Sequence, residues 1–490
     1  MIFILVAMMG LTLLSSCNNA ACPVKRAADS LTVEPPRPAG QTDVIGLRVD
    51  PIPVVRVAFI GLGMRGPEAV SRFMYIEGVE VKAICDLEQY NIDLVQEILK
   101  RNDRPEAAAY MGEDDWKKVC ERDDIDLVYI CTHWDLHTPI AVYAMEQGKH
   151  VATEIPAALT IEECWQLVNT AERTRRHCIM LENCVYDFFE MATLHMAQKG
   201  LFGEIVHVEG AYIHDLRSLN FNPRLREGEV YVPGAEPEIV GATEARPGRS
   251  RIPRPSGYWN YWRLKHNTDR DGNLYPMHGL GPVAQILNLG RGDKMDYMVS
   301  MSSNQFNMTA YAKERFGEDS EQAKTEYKKG DMNVSMIKTA KGKTIMLQHD
   351  VASPRPYSRI HMVSGTKAFA QKWPRQHIAV DANGHYRTLS NEEMQELLAE
   401  YEHPITKEIG DLARKVGGHG GMDFIMDYRL IYCLQNGLPL DLDVYDAASQ
   451  SAIIPLSEFS VTNGSYPVKV PDFTRGAWQK TQGYQHAFKR

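Results

Sequence analysis

The stretch Val55–Gly66, VRVAFIGLGMRG, constrains the chain more than any other. A run of Val, Ala, Phe and Ile gives way to glycines at 61, 63 and 66, the G-x-G-x-x-G spacing that ends a strand and opens a helix. In such a loop Gly61 permits a tight turn, Gly63 lets backbone approach a pyrophosphate with no Cβ between, and Gly66 lets the helix pack close to the strand. The N–H groups that open the helix face the anion. About twenty residues on, VEVKAICD ends a second β-rich run in Asp86, placed to accept hydrogen bonds from an adenosine ribose. Its neighbour is Leu87 and not an arginine, which favours NAD over NADP. The alternatives are an ordinary glycine turn and a solvated aspartate at a strand end.

Strand and helix signals then alternate. Helices are expected from about Pro67, Leu87 and Thr138, and strands at Asp126–Thr132, Lys149–Pro156 and Cys178–Glu182. This βαβ rhythm predicts an α/β fold: an N-terminal Rossmann domain over 54–183, doubly wound on a parallel sheet, with ligand at the carboxyl ends of the strands. Beyond it come a helix at Phe188–Lys199 and the alternating strand Glu204–Asp215, EIVHVEGAYIHD. Four more β-rich runs, DYMVSMSS, MNVSMIKTA, KTIMLQHD and RIHMVSGTKAFAQ, follow without crossover helices. They predict a C-terminal α+β domain over 184–490 with an open, mainly antiparallel sheet. Further helices are expected at Asn391–Tyr401, Asp423–Gln435 and Val444–Phe459. Between 217 and 256 lies an excursion dense in Pro, Gly and Arg, a length typical of binding loops or disorder.

A chain of 490 residues exceeds one comfortable core, in agreement with two domains. Its net charge of -9 offers no basic surface for nucleic acid. Nine cysteines form no C-x-x-C pair and the histidines fall at no metal-ligand spacing, so neither a disulfide framework nor a metal is expected. At the N-terminus an apolar run, Ile2–Leu14, is too short to span a bilayer. It leads into Leu14-Ser15-Ser16-Cys17, which resembles a bacterial lipobox. That resemblance implies a signal peptide over 1–17, cleavage before Cys17, lipid on its thiol and a place in the cell envelope. A cytoplasmic chain with a buried N-terminal strand is the alternative. Residues 18–53, rich in Pro, Ala and charge, are expected to form a tether with little regular structure. The broad second sheet offers a face for a homodimer.

GLGMRG, Asp86, the segment before Pro156 and a histidine-bearing segment at Gly272–Pro282 resemble the glucose-fructose oxidoreductase and inositol dehydrogenase superfamily over Val54–Phe459. Two departures bear on chemistry. Glu154-Ile155-Pro156 stands where typical dehydrogenases carry Glu-Lys-Pro, and Leu274 stands four before His278 where they carry Asp. Both remove proton-handling residues. A closer resemblance is to glycoside hydrolase family 109, the NAD-dependent α-N-acetylgalactosaminidases of bacteria. Its motifs match Met64-Arg65, Trp134–His137, Glu154-Ile155, Leu181-Glu182-Asn183, Ala211–His214, Trp262–Leu264, Tyr275–Gly279 and Ser353–Tyr357.

That resemblance implies a tightly bound NAD at Gly61, Gly63, Met64, Arg65, Gly66, Asp86, Trp134, Asp135, Leu136, His137, Glu154, Ile155 and Asn183. It implies a glycan substrate against Tyr212, Arg263, Tyr275, Pro276, Met277, His278 and Tyr357, with Tyr212, His214, Tyr275 and His278 catalytic. Transient oxidation at the sugar's C3 acidifies C2–H, the C1 substituent leaves by elimination, water adds, and the hydride returns. Tyr212 and His214 lie two apart on one strand and share a face. Tyr212 is expected to take the C2 proton, which requires His214 or Arg263 to lower the phenol's pKa, and His278 to take the C3 hydroxyl proton. His419, in Gly417–Gly421, reads as a glycine-rich helix entry. Two other functions fit the same residues: a plain NAD-dependent sugar oxidoreductase, and a non-catalytic glycan-binding lipoprotein.

Overall fold

The computed structural model describes residues 23–224, 257–481 and 483–489. Six strands form the first sheet: β1 Val55–Ile60, β2 Val79–Cys85, β3 Ala108–Tyr110, β4 Leu127–Ile130, β5 His150–Thr153 and β6 Cys178–Met180. Their order is β3-β2-β1-β4-β5-β6, and every pairing is parallel. Helices cover both faces, so β4 and β5 are buried at every position, and β4, Leu-Val-Tyr-Ile, is an unbroken apolar run where a one-sided strand would alternate. The chain winds from β1 toward β3, then returns to place β4 on the other side of β1. This reversal opens a crevice above the carboxyl end of β1.

The second sheet has nine strands: β7 Ile205–Ile213, then β10 Met295–Ser302, β11 Met332–Thr339, β12 Thr344–Asp350, β13 Met362–Gly365, β14 Ala368–Gln371, β15 His377–Ala382, β16 His385–Thr388 and β17 Val468–Lys469. Within this sheet, among the described residues, only β7 with β12 pairs in parallel. The other pairings are antiparallel. A separate two-stranded ribbon joins β8 Pro223–Arg224 to β9 Tyr258–Trp259.

Three expectations are corrected. The stretch 18–53 is no loose tether where it is described: Pro23–Leu31 is a helix and the rest lies along the body. Arg37 donates to both oxygens of Glu172 at 3.0 Å, and Arg475 at 2.9 Å and Tyr445 at 2.6 Å also donate to that wholly buried carboxylate. A buried charge needs such pairing, and here it fastens the N-terminal arm to both domains. The run RIHMVSGTKAFAQ is two strands, β13 and β14, folded into a hairpin. Val444–Phe459 is two helices, Val444–Ser451 and Ile453–Thr462, the second with a proline at its start. Cys17 and residues 225–256 of the excursion lie outside the described residues, and the start of that excursion is a helix, Arg217–Phe221.

Burial pushes several histidines down, among them His150 to about 3, His177 to about 4, His361 to about 3 and His403 to about 2. In the unfolded chain each titrates near 6.5. Between these values the unfolded state binds more protons, so stability is complete above about pH 6.5 and is lost as pH falls toward about 4. Melting temperature is expected to be flat above neutrality and to drop steadily below about pH 6.5. A flat profile down to pH 5, measured by scanning calorimetry, contradicts this.

Candidate functional site

The glycine loop packs against the end of β4. A Cβ on Gly61, whose φ is 88°, would lie 2.6 Å from the backbone of Cys131 and Thr132, so only glycine fits this approach. Gly66 lies equally close to the Gly61 carbonyl. At Gly63 a Cβ would meet no protein atom within 4 Å, and this open backbone borders the main cavity. Asp86 accepts from Leu62 N–H at 2.6 Å, Glu88 N–H at 2.9 Å and the Asn91 amide at 2.8 Å. It is thus fixed to the loop and still borders the cavity, with lone pairs to spare for ribose hydroxyls. Open backbone, a helix N-terminus and a placed carboxylate fit a dinucleotide.

The cavity runs from Asp86 to a cluster on the second domain. There β7 and the helix Met277–Ile286 touch through backbone: a Cβ on Gly279 would strike Gly210 and Ala211. This approach brings the Tyr212 and His278 rings to 5.3 Å and Tyr212 and Tyr275 to 4.7 Å. His278 Nδ1 lies 3.0 and 3.1 Å from the two oxygens of Glu182, a wholly buried carboxylate, which holds the ring's tautomer and plane. Gly281 leaves the room Glu182 needs, since a Cβ there would come to 2.7 Å from its Cγ. The Tyr212 hydroxyl meets His214 Nδ1 at 3.0 Å.

Arg263 is buried with its guanidinium 4.6 Å from the Tyr275 ring centroid, 5.1 Å from Trp134 and 5.2 Å from Tyr258, and it donates to the Tyr258 hydroxyl at 2.9 Å. Burial pushes the Tyr212 hydroxyl well up, against the pull of Arg263. The expectation of a lowered phenol pKa is therefore wrong: desolvation of the phenolate outweighs the cation. His214 is pushed down to about 4, by burial first and then by Arg263, His278 and His419. It is neutral at pH 7.

Behind Arg65, Asn183 and His419, which border the cavity, Asp423 gathers groups from both domains. It accepts from Arg65 at 3.2 Å, the Asn183 amide and His419 Nδ1 at 2.8 Å, with Arg72 at 3.6 Å. Burial raises its carboxyl, but Arg65, His419 and Arg72 outweigh burial and hold it well below the usual range. Arg65 also donates to Glu154 at 2.9 Å. Every residue from Gly417 to Gly421 has positive φ, including His419 at 46°, and this turn sets a half-exposed imidazole against the cavity.

Residues 186–480 match the model of the glycosyl hydrolase 109 C-terminal domain, and residues 55–182 match that of the oxidoreductase family with an NAD-binding Rossmann fold. An α-N-acetylgalactosaminidase of Bacteroides fragilis is 53% identical over 440 residues, covering 90% of this chain and 96% of its own. A family 109 protein of Porphyromonas gingivalis is 47% identical over 470 residues, 92% of each chain. The chain belongs to glycosyl hydrolase family 109. It is a glycoside hydrolase with an NAD-binding Rossmann domain. Among solved structures, levoglucosan dehydrogenase with NADH and levoglucosan superposes with a TM-score of 0.59 over 85% of this chain and all of the other, at 18% identity, which shows the fold alone.

In this family 109 chain Gly61, Gly63, Met64, Arg65, Asp86, Trp134, Leu136, His137, Glu154, Ile155, Asn183, Tyr212, His214, Arg263, Tyr275 and His278 all border the one cavity. Five expected residues do not. Gly66 packs beneath the loop, Asp135 faces His133 at 3.3 Å and His266 at 3.4 Å, and Pro276 caps the helix. Met277 is wholly buried in the core, and Tyr357 stands behind the pair, its ring 5.0 Å from that of His214. Met277 therefore contributes packing and not a side-chain contact to substrate. Glu182, Arg72, His419 and Asp423 were not expected as site residues. Glu182 lay inside a quoted motif, but its partner is 96 residues away. Glu182, Cys184 and His278 also bring ligand atoms within 4.8 Å of one another, a metal-like spacing not visible in the sequence, although His278 Nδ1 is already engaged by Glu182. Glu182→Gln is expected to lower kcat by about tenfold to a hundredfold with NAD content and KM little changed. A loss confined to KM or to NAD binding contradicts a positioning role.

Proposed function

We propose that this enzyme hydrolyses terminal α-linked N-acetylgalactosamine, the activity in the Bacteroides fragilis relative's name, through a transient ketone at C3 of the sugar. One observation carries the reading. Where the dinucleotide groove meets the second domain, the groups in contact are Tyr212, His214, Tyr275, His278 and Arg263, proton carriers and a cation in place of the carboxylate pair of ordinary glycoside hydrolysis. Gly61, Gly63 and Asp86 would hold NAD, which when bound would supply reversible hydride acceptance at C3 with no net redox change, so it would have no need to leave between turnovers.

His278, held through Nδ1, takes the C3 hydroxyl proton, and Glu182 neutralises the imidazolium that forms. The new carbonyl acidifies C2–H. The Tyr212–His214 pair receives that proton, with the phenol as relay and His214 as acceptor. Arg263, wrapped by aromatic faces, offers its free N–H groups to the enolate oxygen. As the C1–O bond breaks, His419 on its Asp423 support donates a proton to the departing oxygen, then accepts one from the water that adds to C1. The Tyr212–His214 pair returns its proton to C2, the C3 carbonyl is reduced again, and His278 gives its proton back to the C3 oxygen, which completes the sugar and resets each group.

The second reading, a plain sugar oxidoreductase, is favoured only by the shared fold. A chromogenic α-N-acetylgalactosaminide in deuterated water separates the two. Expected are release of the aglycone, no accumulation of NADH, and deuterium at C2 of the product. Release without C2 deuterium overturns the elimination route, and steady NADH accumulation supports the oxidoreductase.

A further inference from the structure

Glu88 follows β2 and His133 follows β4, the strands on either side of β1 and its glycine loop. A dinucleotide crossing the end of β1 passes between them. Trp259, on β9 of the second domain, reaches both. Its indole N–H donates to Glu88 Oε1 at 3.3 Å. Its ring lies nearly parallel to the His133 imidazole, with centroids 6.4 Å apart and planes 18° apart. All three border the same cavity as Gly63 and Asp86. The base of this crosspiece is fixed: Gly257 lies against the Asn222 carbonyl with no room for a Cβ, and the Tyr258 hydroxyl is held by Arg263 at 2.9 Å.

We propose that Trp259 is a cofactor-retaining residue, clasping the dinucleotide groove by bridging Glu88 and His133. Neither Trp259 nor Glu88 stands where a proton must move. Both stand where the nucleotide must exit. A catalyst that holds a hydride for part of each cycle fails if its reduced cofactor escapes, because the sugar is then stranded as a ketone. A bridge between the two banks of the groove raises the barrier to that escape at no cost to the reacting end. The proposal rests on the reading above that NAD stays bound between turnovers.

The test is nucleotide loss, independent of activity. Enzyme loaded with NAD is freed of excess nucleotide by gel filtration, and the NAD remaining on the protein is measured over time after denaturation. Trp259→Ala and Glu88→Ala are expected to lose NAD about tenfold faster than the unaltered enzyme, as for a lost hydrogen bond to a charged acceptor. Trp259→Phe, which keeps a ring without the donor, is expected to fall between, and Glu88→Gln, which keeps an acceptor, to retain NAD nearly as well as the unaltered enzyme. Melting temperatures of the NAD-free proteins identify any variant that is merely misfolded, and the conservative pair then decides. Equal, slow loss from all variants overturns the clasp. Equally fast loss from the unaltered enzyme overturns the resident-cofactor reading and the clasp with it.

Discussion

The backbone contact between Gly210 of β7 and Gly279 of the helix Met277–Ile286 sets the distance on which the chemistry depends. A Cβ on either glycine would collide with the other's main chain, so any other residue drives strand and helix apart. Tyr212 lies two residues beyond one contact point and His278 one residue before the other, and their rings meet at 5.3 Å as a consequence. The same helix turns Gly281 toward Glu182, giving that carboxylate space to hold His278. One close approach thus fixes an imidazole, its carboxylate support and a phenol together. Precision of this kind comes from a strand and a helix, which are stiffer supports than loops.

Buried charge joins the two domains. The Arg72, Asp423 and Asp427 side chains are almost entirely withdrawn from solvent, with Arg72 donating to Asp427 at 2.6 Å. Ions so placed are costly unless each meets an opposite charge in good geometry. Here Arg72 comes from the helix after the glycine loop, Gly66–Phe73, and the aspartates from the helix Met422–Gln435 of the second domain, so satisfying the charges docks the domains. The glycine-loop groove and the cluster around Tyr212 and His278 then face one cavity. Asp423 also supports His419, so one carboxylate serves both docking and the site.

Local signals were legible in the sequence. Gly61 to Gly66, the strand ending at Asp86 and the alternation of Tyr212 with His214 are each contained within a dozen residues or fewer, and the structure places all of them at the cavity or beneath it. The alternation of strand and helix signals marked the parallel sheet. What escaped depends on partners far apart in the chain. Arg65 and Asp423 are 358 positions apart, and no periodicity announces their pairing. His419 was hidden differently: a run of glycines reads as a helix entry, whereas its consecutive positive φ values build a turn that sets one imidazole against the cavity. Tyr212 shows the limit of reading chemistry from residue type. A neighbouring cation argues for an acidic phenol, but only the fold reveals that burial outweighs it. The arm before Val55 was misjudged because Pro and Ala resemble a linker until Arg37 is seen on Glu172.

The central claim is that the nicotinamide takes part in every hydrolytic cycle and emerges unchanged. Rapid mixing of NAD-loaded enzyme with an α-N-acetylgalactosaminide, following the near-ultraviolet absorbance of reduced nicotinamide alongside the aglycone, tests it most directly. A transient rise and fall of reduced nicotinamide within each turnover, slowed by deuterium at C3 of the sugar, is the expected result. Aglycone release at full rate with no nicotinamide reduction and no effect of C3 deuterium would contradict it.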